Sequence, residues 1–137
     1  MTKKSELEQA LSYEISSPHL WYYRAKIIRV IDGDTCIALI DCGFNSIKME
    51  RLRLEGVDAP ELRPRRGTNV EKLDEKARAK VATERVRELI EGKQVVIQTK
   101  KTGKFGRWLA VIYLPGDSQR TINQLLLEEG LAVQYPR

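Results

Sequence analysis

Two stretches of the chain, Ile31-Asp32-Gly33-Asp34-Thr35 and Arg53-Leu54-Glu55-Gly56-Val57-Asp58-Ala59-Pro60-Glu61, put acids and an arginine where apolar strand-forming residues give way to turns. A third, Gly103-Lys104-Phe105-Gly106-Arg107, adds a second arginine on a glycine turn. Strand ends hold side chains rigidly while leaving one side open to a ligand. Carboxylates suit a hard cation and guanidinium groups suit a phosphate, so this combination points to metal-assisted phosphoester chemistry.

Asp34 opens one predicted strand and Asp58 closes the next, which brings both carboxylates to the same sheet edge in an antiparallel meander. Two aspartates with a backbone carbonyl and waters make an oxygen-only site of the kind that holds Ca²⁺ or Mg²⁺. The sparse, irregular donor set favours Ca²⁺ over Mg²⁺. Glu61, just beyond Pro60, is placed to orient or deprotonate a water. Arg53 has the wrong strand parity to meet Asp58 unless the chain bends at Gly56. Asp32 reads as a turn former, since Asp-Gly is a common turn pair. Lys100, Lys101 and Lys104 are candidate phosphate contacts, Phe105 can stack on a base, and the arginines of Leu62-Arg63-Pro64-Arg65-Arg66-Gly67 form a basic loop that could guide a strand.

The elements that must position these residues are short strands. Residues 20–31 are rich in Trp, Tyr, Ile and Val and end at the Asp32-Gly33 turn signal; further strands are predicted over 35–41 and 47–57. Thr68-Asn69-Val70-Glu71 has capping-box spacing, and Ala79, Ala82, Val86, Leu89 and Ile90 recur at helical spacing before Gly92. Strands are predicted at 95–97 and 108–114, and Thr121-Ile122-Asn123-Gln124 opens a short helix closed by Gly130. This order predicts an α+β fold, mainly β. It is a five-stranded OB-type barrel with a helix between strands 3 and 4 and a short C-terminal helix. Residues 1–17 read as a tail and 18–137 as one domain. Trp21 and Trp108 read as core or barrel-rim aromatics, and Glu55 as a solvated strand residue.

Composition narrows the function classes. A charge of +5 favours a polyanionic partner, and 42% hydrophobic residues argue against wholesale disorder. No apolar run reaches the roughly 20 residues that cross a bilayer. The opening Met1-Thr2-Lys3-Lys4-Ser5-Glu6 has no apolar signal-peptide core, so the expected location is cytoplasmic. With His19 as the one histidine, neither a zinc centre nor a histidine-based triad can be assembled. Cys36 and Cys42 fall in one strand, about 20 Å apart, too far for a disulfide; they are expected to be two thiols on the same face.

Asp-Gly-Asp-Thr, Arg-Leu-x-x-Val-Asp-Ala-Pro-Glu, Lys-Phe-Gly-Arg and Asn-x-x-Leu-x-x-x-Gly-Leu-Ala occur in that order between residues 28 and 133. Together they resemble the staphylococcal nuclease (thermonuclease) family. The resemblance implies Ca²⁺ held by Asp34, Asp58 and the Ala59 carbonyl. It further implies Glu61 as the water-positioning carboxylate, and Arg53 and Arg107 on the phosphate. It implies cleavage of DNA and RNA to 3′-phosphate ends; single-stranded DNA or RNA as the preferred partner and a monomer are further expectations. Ala59 stands where the family has threonine, and Gly103 and Phe105 where it has Asp and Tyr. Tyr135 falls in the region of the family's base-stacking tyrosine. The rival expectation is a nucleic-acid-binding barrel of the same fold without catalysis.

Overall fold

The computed structural model describes residue 6 and residues 20–102, 107–117 and 119–136, the side chains of residues 101 and 102 excepted. In chain order these form β1 (Tyr22–Asp32), β2 (Thr35–Asp41), β3 (Ile47–Leu54), β4 (Val57–Asp58), α1 (Asn69–Ile90), β5 (Gln94–Thr102), β6 (Trp108–Ile112), α2 (Ile122–Glu128) and β7 (Val133–Gln134). Five strands close into a barrel in the order β1-β2-β3-β6-β5, with β5 returning to β1. Every pair in it is antiparallel except β3 with β6. The predicted OB-type barrel with two flanking helices is therefore the fold observed.

Alternation drives the closure. Along β1, Ala25 and Ile27 are buried while Arg24 and Lys26 are exposed; along β2, Cys36, Ala38 and Ile40 are buried. Small Ala25, Ala38 and Ala110 share the interior with fully buried Ile27, Leu52, Ile97 and Ile112, which suits the narrow bore of a five-stranded barrel. Val86 and Ile90 of α1 and Ile122 and Leu126 of α2 complete the same core. Both predicted helix starts are capped: Thr68 Oγ1 accepts the Glu71 N–H (3.2 Å) and Thr121 Oγ1 the Gln124 N–H (3.1 Å).

Three expectations need correction. The third strand does not run to residue 57. It stops at Leu54, because Gly56 adopts φ +79° and the ladder cannot continue through it; Asp58 lies instead on β4, paired with β7. Glu55 is accordingly in a turn and pairs with Lys100 (3.2 Å). The two cysteines also differ: Cys36 is buried, its thiol pushed up to about 12 by that burial, whereas Cys42 lies past the end of β2 and is exposed. Trp21 and Trp108 are 59% and 37% exposed, so both belong to the rim and not the core. Among the described residues, no helix is long and apolar enough to cross a membrane. The expected tail, apart from Glu6, lies outside the described residues, as do His19, Gly103, Lys104, Phe105 and Gly106.

Candidate active site

The β1–β2 turn is pressed against the rest of the molecule, and that closeness builds the site. A Cβ on Gly33 would lie 3.0 Å from Ala59 Cβ and 3.2 Å from Ala82 Cβ, so glycine here lets the turn, the segment after β4 and α1 meet. The adjacent Asp34 is buried, and its carboxylate is fixed at both oxygens. Oδ1 accepts the Thr35 hydroxyl (3.0 Å) and Oδ2 the Ala59 N–H (2.8 Å). Its own carbonyl accepts the Leu54 N–H (2.8 Å), linking the turn to the end of β3.

Arg53 faces Thr35 across the β2–β3 ladder, and the turn at Gly56 supplies the bend its parity required. Its Nη1 donates to the carbonyls of Leu54 (3.0 Å) and Val57 (2.7 Å), so the guanidinium spans the turn from within. From there Nη1 lies 3.5 Å from Asp34 Oδ2, and Nη2 donates to Asp58 Oδ1 at 3.3 Å. The two aspartates, expected to converge, do so on one arginine whose side chain is 13% exposed. The second Nη2 hydrogen and Nε–H have no partner among the described residues.

These groups open into a cleft of about 640 Å³ that contains Asp34, Arg53, Asp58, Glu61 and Arg107 together. Arg63 and Arg65 of the basic loop line it too, while Arg66 does not. Glu61 is exposed at the rim, its N–H donating to Glu75 Oε2 of α1 (2.9 Å). Ala59 is buried and lines a neighbouring cleft with Asp58 and Glu61.

Three residues read otherwise, or not at all, from the sequence also line the cleft: Asp32, Arg29 and Arg87. Asp32 ends β1 beside the Asp-Gly turn and also enters the site. Burial pushes its carboxyl up from the ordinary value, and the nearby Asp34 charge adds to this. The Leu62 N–H, Arg107 and Arg53 pull the other way. Its position two residues before Asp34 was the available signal. Arg29 and Arg87 gave none, since they belong to different elements with no motif between them.

Other candidates are not brought in. Lys100 is engaged by Glu55, and neither it nor Tyr135 lines the cleft. Tyr135 is 49% exposed, its N–H bound to the Gly56 carbonyl (2.9 Å). The side chain of Lys101, with Lys104 and Phe105, lies outside the described residues.

As a cation site the cleft offers only oxygen donors, which suits a hard ion, and Asp34 and Asp58 supply two carboxylates. No group of three or more His, Cys, Asp or Glu able to hold a metal forms among the described residues. With six arginines against four acids, the cleft as a whole favours an anion.

Similarity to known proteins agrees with this chemistry. The chain is 29% identical over 127 residues to a micrococcal nuclease of Shigella flexneri, covering 88% of this chain and 63% of that protein. It is 28% identical to protein ParB of Escherichia coli (88% and 62% covered). It is 30% identical to an uncharacterized endonuclease of Escherichia coli O157:H7 (80% and 60% covered). The chain thus spans under two thirds of the length of these relatives. A family model described as staphylococcal nuclease homologue matches residues 51–137, which include Arg53, Asp58, Ala59, Glu61 and Arg107, while Asp34 lies outside that match and meets them through Leu54, Arg53 and Ala59. With that match over more than half its length, the chain belongs to the staphylococcal nuclease homologue family.

Proposed function

We propose that this domain is a nuclease that hydrolyses phosphodiester bonds of DNA and RNA with Ca²⁺, acting as a monomer, preferring single strands and leaving 3′-phosphate ends. The observation that carries this reading is the convergence of Asp34 and Asp58 on Arg53 in a cleft that also holds Glu61 and Arg107. Asp34, Asp58 and the Ala59 carbonyl would hold the ion, whose charge would offset the negative charge developing on the phosphate. Glu61, exposed at the rim, orients the attacking water and takes its proton. As the new P–O bond forms on one side, the bond to the 5′ oxygen breaks on the other, and that oxygen leaves as a hydroxyl by taking a proton from solvent. Arg53, prepositioned by two backbone carbonyls, and Arg107 donate to the equatorial oxygens of the pentacoordinate state. With nothing resembling a base-reading helix, cleavage is sequence-tolerant.

Incubation of the purified protein with single-stranded DNA, with Ca²⁺ or with excess chelator, tests the reading. Cleavage that needs Ca²⁺ and leaves 3′-phosphates is expected, and cleavage persisting in chelator overturns it. Binding without cleavage under all conditions selects the non-catalytic barrel instead.

A further inference from the structure

On another part of the barrel, a groove of about 970 Å³ runs over β1, β5 and the segment after β6. It shares no residue with the arginine-rich cleft. One end carries two aromatic rings, Tyr22 and Tyr113, with centroids 6.0 Å apart, planes tilted by 36° and hydroxyls 3.4 Å from each other. Beside them Val96 is 44% exposed, an apolar surface a base could cover.

The groove is lined by two cations, Arg24 and Lys26, and two carboxylates, Asp41 and Asp117, which keep their charge. Its carboxylates are already engaged by backbone: Asp41 accepts the Gly43 N–H (2.9 Å), and Asp117 accepts those of Gln119 (2.9 Å) and Arg120 (3.1 Å). Arg24 and Lys26, both exposed on the outer face of β1, have no ion-pair or hydrogen-bond partner for their side chains among the described residues. Exposed cations without ion-pair partners, beside a pair of tilted aromatic rings, suit a polyanion whose units carry flat faces.

The same strand connects this groove to the cleft. Arg24 and Lys26 point outward by ordinary alternation. The register shift between Ile27 and Arg29 resets the parity, so that Arg29 is exposed as well and lines the cleft. At about 3.3 Å per residue, Arg24 to Arg29 covers roughly 16 Å. Arg87 stands near the junction, its Nη2 donating to the Val30 carbonyl (3.3 Å) and its Nε 3.7 Å from Glu91, whose carboxylate accepts the Val30 N–H (2.9 Å).

We propose that the outer face of β1 is a second nucleic-acid site: a single strand leaving the cleft follows Arg29, Lys26 and Arg24 and stacks a base on the Tyr22–Tyr113 pair. This rests on the nuclease reading insofar as the strand is taken to enter the cleft. It makes the domain a reader of strand length, because a short oligonucleotide fills the cleft alone and a longer one reaches both sites.

Equilibrium binding of fluorescein-labelled thymidine oligomers of four and sixteen nucleotides, in chelator, tests this, the lengths bracketing the span of OB-type sites at about 4–16 nucleotides. The double variant Arg24→Gln/Lys26→Gln should weaken binding of the sixteen-mer about tenfold and flatten its slope of log affinity against log salt by about 1.4, or 0.7 per contact. Binding of the four-mer should not change. Tyr22→Ala should cost the sixteen-mer about tenfold while Tyr22→Phe does not, the ring being what stacks. Equal losses on both oligomers, or none on the sixteen-mer, overturn the proposal, as does failure of the parent protein to bind either. Parent cleavage of the four-mer with Ca²⁺ is read separately. A length-dependent binding loss without any cleavage keeps the second site and removes the hydrolytic reading, and intact cleavage with unaltered sixteen-mer binding does the reverse.

Discussion

Asp58 and Glu61 form a ridge between two clefts of opposite character. On one side the ridge faces Arg29, Arg53, Arg63, Arg65, Arg87 and Arg107. On the other it faces Glu75, with Arg78 as the cation, and the segment from Gly130 to Val133. Both are open and of comparable size, about 640 and 450 Å³. Charge, more than shape, therefore decides which can take a phosphodiester: the first attracts it, and the second repels it from three carboxylates. The carboxylates of the ridge gain their proposed role from the arginines opposite, since acids facing only acids would hold no phosphate for a water to attack.

The sharpest way to break this contrast is to remove its central cation. Arg53→Gln should lower turnover by about 10²–10³. It should also destabilise the fold by about 3 kcal/mol, because buried Asp34 loses its counter-charge. Single-turnover cleavage and thermal unfolding read the two effects. Glu61→Gln separates them: turnover falls by about 10²–10³ while nucleic-acid affinity and melting temperature hold. Glu75→Gln, on the acid side, should leave turnover close to the parent's, and a loss as large as that of Glu61→Gln would end the distinction between the two clefts.

Gly33→Ala tests how the two sides are held together. The added methyl would press on Ala59 and Ala82, with a cost of about 1–3 kcal/mol in chemical unfolding. Asn123→Ala probes the support from behind. Its amide accepts the Ile112 N–H (3.1 Å) and donates to the carbonyls of Glu55 (2.9 Å) and Ala110 (3.1 Å), so α2 holds the turn that Arg53 spans. Loss of about 2 kcal/mol is expected from those unpaired groups.

The smallest effect lies outside both clefts, where Arg85 of α1 holds Glu129 through two hydrogen bonds of 2.9 Å. The Arg85 hydrogen bond, and then its charge, keep the Glu129 carboxyl below its ordinary 4.5. A depressed carboxylate contributes stability above its unfolded pKa, and that contribution is lost as pH falls from about 4.5 through the lower folded value. Unfolding of Glu129→Gln should lack this part of the acid-side slope, an effect kept small by exposure of the pair.

Much of this was legible in the chain itself, because it depends on local rules. Aromatic and β-branched content before the Asp32-Gly33 turn signal marked β1, and capping-box spacing marked the starts of α1 and α2 at Thr68 and Thr121. The convergence of Asp34 and Asp58 was expected from an antiparallel meander, but Asp58 reaches it through the Gly56 turn and β4, not from the end of β3. Tertiary structure decided what depends on elements distant in sequence. Asp32 could not be told from a plain turn residue until Leu62 and Arg107 closed around it. Asp58 owes its strand to a partner 75 positions away, Val133, and Arg29 and Arg87 share a cleft only because α1 docks beside β1. Periodicity specifies which face of an element is buried, but the arrangement of groups on the exposed faces is set by how the packed elements cross, and neither propensity nor spacing encodes that.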